Sequence, residues 1–315
     1  MTVACMCVSQ QPRPSAQRIA IVGLGGIGGV VAASVVHAGH HDVVACVRRP
    51  LERLTAERPD GTIVVPLRSL ADPAAATPVD WVLLCTKAHE TASAAPWLAR
   101  LCGPGTRVAV LQNGIHQARR VGPFAGAARV VPTVVYYNGE RLAADRVRLR
   151  HAGPHDLAMA DDADGRALAA LLAGTTLRLL VTPELDTLAW RKLLLNVTAN
   201  PITALTLQRQ AVLRRDDVKA LCLAVLQEAV AVGRADGAAL AVDEAPRAFD
   251  YLMNYPPEAG TSMYYDRLAG RGFEVEALTG AVVAAGERHG VPTPLNRAFL
   301  ALLRAISDAA TNAAA

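Results

Sequence analysis

An α/β half built on a parallel sheet, followed by an all-helical half, is the fold class that the sequence predicts. Short apolar strands alternate with helical segments from residue 18 onward, which is typical of a sheet with crossover helices. A glycine-rich turn joins the first strand to the first helix. After Pro183 the strand pattern ends and helical periodicity continues towards the C-terminus.

The chain length of 315 residues gives room for two domains, each with its own core. We expect residues 1–17 to form a flexible extension, residues 18–183 the α/β domain and residues 184–315 the helical domain. Hydrophobic residues make up 52% of the chain and charged residues 19%, a globular composition. With a net charge of +4 and no basic run, no nucleic-acid partner is expected.

An uncharged run over residues 19–36 has about the length of a membrane span. Five glycines within it would weaken an isolated helix, so we expect no membrane segment. The six cysteines show neither CxxC nor metal-ligand spacing, which favours reduced thiols and no metal site. A reducing, cytoplasmic location fits this usage.

The segment "RIAIVGLGGIGG" predicts a strand, the turn Gly23-x-Gly25-x-x-Gly28 and the start of a helix. The first glycine permits a tight turn, the second lets a pyrophosphate approach the backbone, and the third lets helix and strand pack closely. The helix N-terminus supplies free N–H groups for phosphate. This pattern predicts a Rossmann-type dinucleotide site made of Gly23, Leu24, Gly25, Gly26, Ile27 and Gly28.

The second strand, "DVVACV" at 42–47, ends at Arg48 and Arg49, where an NAD-preferring site would carry an acidic residue. A guanidinium can bind a 2′-phosphate through paired hydrogen bonds, so NADP is favoured. The alternative is a solvated pair of arginines at a strand end.

Further strands are expected at 61–67, 80–87 and 106–114, with a crossover helix over "ETASAAPWLARLC". Residues 128–182 are interpreted as the last strands of the same sheet, with one helix near 165–174. Because ligands bind beyond the carboxyl ends of parallel strands, Lys87 and Gln112-Asn113-Gly114 are expected to contact cofactor and substrate.

In the helical half, "WRKLLLNVTAN" places Lys192, Asn196 and Asn200 four residues apart, on one face of a helix. Such a stripe either points to water or lines a polar cavity. Further helices are expected over 216–237, on both sides of Gly270 to Gly272, and over "TPLNRAFLALLRAISDAA".

Six segments, "GLGGIGG", "CTKA", "LQNG", "WRKLLLNVTANPITAL", "TSMYYDRLAGRGFEVEALTG" and "ERHGVPTPLN", occur in the order typical of one family. Over residues 18–306 the chain resembles the ketopantoate reductases, which are NADPH-dependent 2-dehydropantoate 2-reductases. The resemblance implies a Rossmann-type domain joined to an all-α domain, as in 6-phosphogluconate dehydrogenase. It also implies an oxidoreductase of the CH–OH class in pantothenate and coenzyme A biosynthesis, often a homodimer.

The resemblance also implies residue roles. Lys192 matches the proton donor and Glu274 the acidic residue near the nicotinamide. Asn196, Asn200 and Ser262 match residues that bind the 2-oxo acid. Asn113 would touch both cofactor and substrate, and Arg48 and Lys87 would help the glycine turn to hold NADPH.

Hydride transfer to a ketone leaves negative charge on its oxygen, which an ammonium can stabilise and protonate. Two segments depart from the family pattern, Tyr136-Tyr137 and Gln210-Ala211. Three hypotheses therefore stand: reduction of ketopantoate to pantoate, reduction of another 2-oxo acid or ketone by a paralogue, or a non-catalytic dinucleotide-binding regulator. Retention of Lys192, Ser262 and Glu274 speaks against the regulator.

Overall fold

The computed structural model describes residues 15–314, so the expectation for residues 1–17 falls almost entirely outside the described part. The strands in the described part are β1 (Arg18–Val22), β2 (Asp42–Cys46), β3 (Arg53–Arg58), β4 (Gly61–Pro66), β5 (Ser69–Leu70), β6 (Trp81–Leu84), β7 (Arg107–Val110), β8 (Arg129–Val135), β9 (Asn138–Ala143), β10 (Arg146–Arg150), β11 (Leu157–Ala160) and β12 (Leu179–Thr182). The helices are α1 (Gly26–Ala38), α2 (Ala95–Leu101), α3 (Gln117–Ala125), α4 (Ala163–Leu171), α5 (Leu185–Thr206), α6 (Asp216–Ala235), α7 (Glu244–Met253), α8 (Ser262–Leu268), α9 (Thr279–His289) and α10 (Pro294–Ala314).

The main sheet has eight strands in the order β12-β11-β8-β7-β6-β1-β2-β5. The strands from β5 to β8 along this order are parallel, whereas β11 pairs antiparallel with β8. One face is covered by α2 and α3, through apolar side chains such as Leu98 and Val121. The predicted α/β domain with a parallel sheet and the all-helical second half are confirmed.

A second, four-stranded sheet with the order β4-β3-β10-β9 lies outside the main sheet. The expectation that residues 61–67 continue the parallel sheet, and that all strands of 128–182 belong to it, was wrong. In β4 the side chains alternate, with Ile63 and Val65 buried and Val64 61% exposed. This alternation is typical of a strand with one covered face, not of a central parallel strand.

Helix α1 packs against both sheets, which explains why it has no polar face. Its valines and alanines share one core with β1 of the main sheet and with Leu54, Ile63 and Leu149 of the second sheet. A helix that is apolar all round is buried all round. In the part of the chain from 15 to 314, no helix has both the length and the apolarity that a membrane crossing requires.

Helices α5 to α10 form a separate core around Trp190, Leu194 and Val197 of α5. Helix α7 was not predicted. Gly237 before it and Pro256-Pro257 after it signal a loop, while Pro246 falls in its first turn, where a missing N–H costs little. Ile115, from the loop after β7, inserts into this second core and ties the two halves together.

Candidate active site

The glycine turn between β1 and α1 packs tightly against the strand and leaves open space at the N-terminus of the helix. Gly23 has a φ of +94°, and a Cβ on Gly28 would lie 1.9 Å from the carbonyl oxygen of Gly23. At Gly25, by contrast, a Cβ would meet no atom within 4 Å. No side chain caps the helix at Gly25, and its first turn contains no acidic residue. Open space beside free N–H groups at a helix N-terminus fits an anionic ligand.

Gly26 serves a different purpose from its neighbours in the turn. A Cβ there would lie 1.8 Å from the carbonyl oxygen of Gly139, so α1 and β9 touch through their backbones. Next to this contact, Tyr137 donates a hydrogen bond of 2.7 Å from its hydroxyl to the carbonyl of Ile27. The second sheet therefore packs against the glycine turn and supports it. No sequence motif singled out Gly139.

Arg48 follows β2, the strand that pairs with β1, and its side chain is exposed. Within residues 15–314 it makes no hydrogen bond or ion pair, so its guanidinium is available to a ligand.

Lys192 projects from α5 to the carboxyl ends of β7 and β8. Its ammonium donates to Oδ1 of Asn113 at 2.9 Å and to the carbonyl of Val135. Burial lowers the pKa of Lys192 to about 8, although the negative charge of Glu274 opposes this shift. A half-buried amine is thus held at the junction of the two domains.

Glu274 is almost fully buried, and it lies on the side of the Asn113 amide that faces away from Lys192. The Asn113 amide donates to one of its carboxylate oxygens at 3.0 Å, and the backbone N–H of Ala88 donates to the other at 2.8 Å. Burial acts to raise the pKa of Glu274, but Lys87 at 3.6 Å and these hydrogen bonds outweigh it, so the pKa is lowered. Glu274 is therefore a carboxylate at neutral pH.

Lys87 is held by two buried carboxylates. Its ammonium lies 3.0 Å from Asp266 of α8 and 3.6 Å from Glu274. Asp266, which the sequence did not single out, also pairs with Arg271 at 2.9 Å. The structure thus joins Lys87, Asn113, Lys192 and Glu274 in one network.

Part of the polar stripe of α5 lines a small cavity. Lys192 and Asn196 form part of the wall of a small cavity between the domains, opposite Asn113 and Gln112. Asn200, one turn further along, is 4% exposed, and its Nδ2 has no hydrogen-bond partner among the described residues. Ser262 starts α8 and is exposed, outside the network around Lys192.

Arg120 of α3 is a further residue that the sequence did not single out. Its guanidinium donates to the carbonyls of Asn113 at 3.1 Å and Ile115 at 3.3 Å, and to the side chain of Gln112. Burial lowers the pKa of Arg120, while Glu274 acts to raise it. Arg120 thus fixes the loop that presents Asn113.

The two departures from the family pattern differ in their surroundings. Tyr137 is 2% exposed and packs in the core of the first domain, away from the cavity. Tyr136 packs beside Leu185 and Leu188 at the start of α5. Gln210 is 7% exposed, and its side-chain oxygen has no partner among the described residues.

Models of known families match both halves of the chain. The description "Ketopantoate reductase PanE/ApbA" matches residues 19–163, and "Ketopantoate reductase PanE/ApbA C terminal" matches residues 184–307. A relative named 2-dehydropantoate 2-reductase, from Caulobacter vibrioides, is 38% identical over 91% of this chain and 98% of its own length.

Solved structures of ketopantoate reductases also match this chain. The crystal structure of a PanE/ApbA family ketopantoate reductase from Ralstonia eutropha JMP134 superimposes with a TM-score of 0.83 at 29% identity, covering 93% of this chain and 99% of that one. A dimeric ketopantoate reductase from Staphylococcus aureus matches with a TM-score of 0.81 at 25% identity, over 93% and 99% of the two chains. This chain belongs to the ketopantoate reductase PanE/ApbA family.

Proposed function

We propose that this protein reduces 2-dehydropantoate (ketopantoate) to pantoate with NADPH. The observation that carries this proposal is the half-buried amine of Lys192, bound to Asn113 and through it linked to Glu274, beside a glycine turn that fits a dinucleotide. The names of its relatives support the choice of substrate.

Lys192 has the properties of a proton donor to a ketone oxygen. An ammonium carries three N–H groups, and within residues 15–314 two of them are used by Asn113 and Val135. We propose that the third donates to the ketone oxygen of the bound substrate. A donor whose pKa is about 8 releases its proton readily near neutral pH.

Glu274 acts on Lys192 without touching it. Its charge raises the pKa of Lys192 against the effect of burial, and so keeps the amine protonated. Its hydrogen bond from Nδ2 of Asn113 also fixes the amide, so that Oδ1 faces Lys192. We propose Lys192 and Glu274 as the catalytic pair, with Asn113 oriented between them.

The 2-oxo acid would be bound by Asn113, Asn196, Asn200 and Ser262. A buried N–H without a partner costs about 1–3 kcal/mol, and a substrate carboxylate or hydroxyl would supply the missing acceptor at Asn200. Asn196 already lies in the cavity wall with Lys192.

A nicotinamide dinucleotide is the cofactor that the family and the glycine turn imply, and when bound it supplies the hydride. We propose that Gly23 to Gly28 bind its pyrophosphate and that Lys87, Asn113 and Glu274 line the path towards its nicotinamide end. The preference for NADPH rests on the free guanidinium of Arg48, which suits a 2′-phosphate.

Two points of organisation follow. Strand β12 ends at Thr182 and α5 begins at Leu185, which supports a domain boundary between residues 183 and 184. A homodimer is proposed because the Staphylococcus aureus enzyme is described as dimeric. Light scattering of the purified protein tests this assembly.

A second candidate is the reduction of another 2-oxo acid, because Tyr136-Tyr137 and Gln210-Ala211 depart from the family pattern. NADPH oxidation measured with a panel of 2-oxo acids distinguishes the candidates. Preferential turnover of ketopantoate supports the proposal, turnover of other acids alone supports the second candidate, and cofactor binding without turnover supports a regulator.

A further inference from the structure

Asp236, at the end of α6, binds groups from both domains. It accepts hydrogen bonds from His116 at 2.7 Å, from the indole of Trp190 at 3.1 Å, and from His289 at 2.9 Å. Arg288 adds a contact at 3.3 Å. His116 belongs to the first domain, whereas the other three belong to the second.

Two members of this cluster lie close in the chain to residues of the proposed active site. His116 comes three residues after Asn113, and Trp190 lies two residues before Lys192 on α5. Asp236 therefore connects the loop that carries Asn113 to the helix that carries Lys192. The contact between Asn113 and Lys192 depends on how these two elements are aligned.

The position of Asp236 does not favour the stability of α6. A carboxylate at a helix C-terminus faces the negative end of the helix dipole, and burial of its charge adds a further cost. The side chain is only 10% exposed. Four donors offset this cost, and three of them lie within its own domain.

The backbone of His116 has a conformation that residues other than glycine rarely adopt. Its φ is +53°, in the left-handed region, where a residue with a Cβ is strained. Gly114 nearby has a φ of +92°, and a Cβ on it would lie 2.1 Å from the carbonyl of Ala277 in the second domain. A strained loop pressed against another domain keeps its shape only if its surroundings hold it.

We infer that Asp236 and His116 are positioning residues that set the distance between Lys192 and Asn113. Arg120 holds the loop from within the first domain, and the contact between His116 and Asp236 holds it from the second. This inference rests on the proposed function, because it assigns a role in the same reaction. It adds two residues that do not touch substrate or cofactor.

The test replaces His116 with residues that keep or remove the donor. His116→Gln presents an amide N–H close to the position of the imidazole Nε2, whereas His116→Asn tolerates the left-handed backbone but is shorter. We expect kcat of His116→Asn to fall about tenfold or more, because misplacement of reacting groups is costly. Its Kd for NADPH should stay within about twofold of wild type, and His116→Gln should retain most of kcat.

His151→Ala is the matched control. His151 pairs with Asp156 at the same distance of 2.7 Å, but lies outside the catalytic network. We expect its kcat to remain that of wild type. Asp236→Ala should lower kcat at least as much as His116→Asn, because it also removes the contacts with Trp190, Arg288 and His289. Adding His116→Asn to Asp236→Ala should cost little more, since the contact between the two residues is already lost.

Amide hydrogen exchange of Arg120, whose backbone N–H donates to the carbonyl of His116 at 3.1 Å, separates this inference from the proposed function. In His116→Asn this amide should exchange faster than in wild type, whether or not ketopantoate is a substrate. Unchanged exchange, or unchanged kcat in an active enzyme, would overturn the inference while leaving the function intact. A wild-type protein inactive with every 2-oxo acid would overturn the function, and exchange would then decide the positioning role alone.

Discussion

Lys192 donates a hydrogen bond of 2.9 Å to Asn113, a residue 79 positions away in the other domain. The amide of Asn113 in turn separates Lys192 from Glu274, so the amine and the carboxylate interact through it. The proposed active site is thus assembled by the docking of two domains.

Removal of the charge on Glu274 should shift the pH dependence of the reaction. Lys192 donates a proton only while protonated, so activity is present below its pKa and is lost as the pH rises through about 8. Glu274 raises that pKa, and Glu274→Gln should therefore move the alkaline limb of kcat/KM to lower pH.

The matched control for this change is Glu276→Gln, an exposed neighbour paired with Arg304 at 2.6 Å. Its pH profile should equal that of wild type. An alkaline limb that stays in place in Glu274→Gln would remove Glu274 from the control of Lys192.

Arg48→Ala should weaken NADPH binding much more than NADH binding. Loss of a charge-assisted hydrogen bond costs about 1.5–3 kcal/mol, or roughly tenfold or more in Kd. Titration with each cofactor checks this, with Arg53→Ala as the control, an exposed arginine paired only loosely with Asp145. Equal weakening of both cofactors would mean that the 2′-phosphate is bound elsewhere.

Gly139→Ala should disturb the proposed cofactor site, although Gly139 is not itself part of the glycine turn. The added Cβ would lie 2.4 Å from the backbone of Gly26, so α1 or β9 must shift at a cost of about 1–3 kcal/mol. We expect a lower melting temperature and weaker NADPH binding. Gly153→Ala, where the Cβ meets no atom within 4 Å, should change neither. NADPH affinity equal to that of the control would show that the contact does not shape the site.

Local sequence patterns were sufficient to predict the features that are determined by residues close together in the chain. The spacing of Gly23, Gly25 and Gly28 predicted the turn between strand and helix, and the four-residue spacing from Lys192 predicted a polar stripe on α5. Both depend on backbone periodicity, which a short segment determines by itself.

The remaining features depend on contacts between distant parts of the chain. The contact of Gly139 with Gly26 and that of Asp236 with His116 join residues more than one hundred positions apart. The alternation of Ile63, Val64 and Val65 could have indicated a separate sheet, because a central parallel strand is buried on both faces. For Arg120 and Asp236 no local pattern distinguishes them from surface charges.

The central claim is that Lys192 donates the proton in reduction of ketopantoate by NADPH. The most direct measurement is kcat of Lys192→Ala with NADPH and ketopantoate, together with its Kd for NADPH. We expect kcat to fall at least about a hundredfold while Kd is retained. Lys219→Ala, which changes an exposed lysine above the ring of Phe249, should keep full activity. Wild-type turnover by Lys192→Ala would contradict the account.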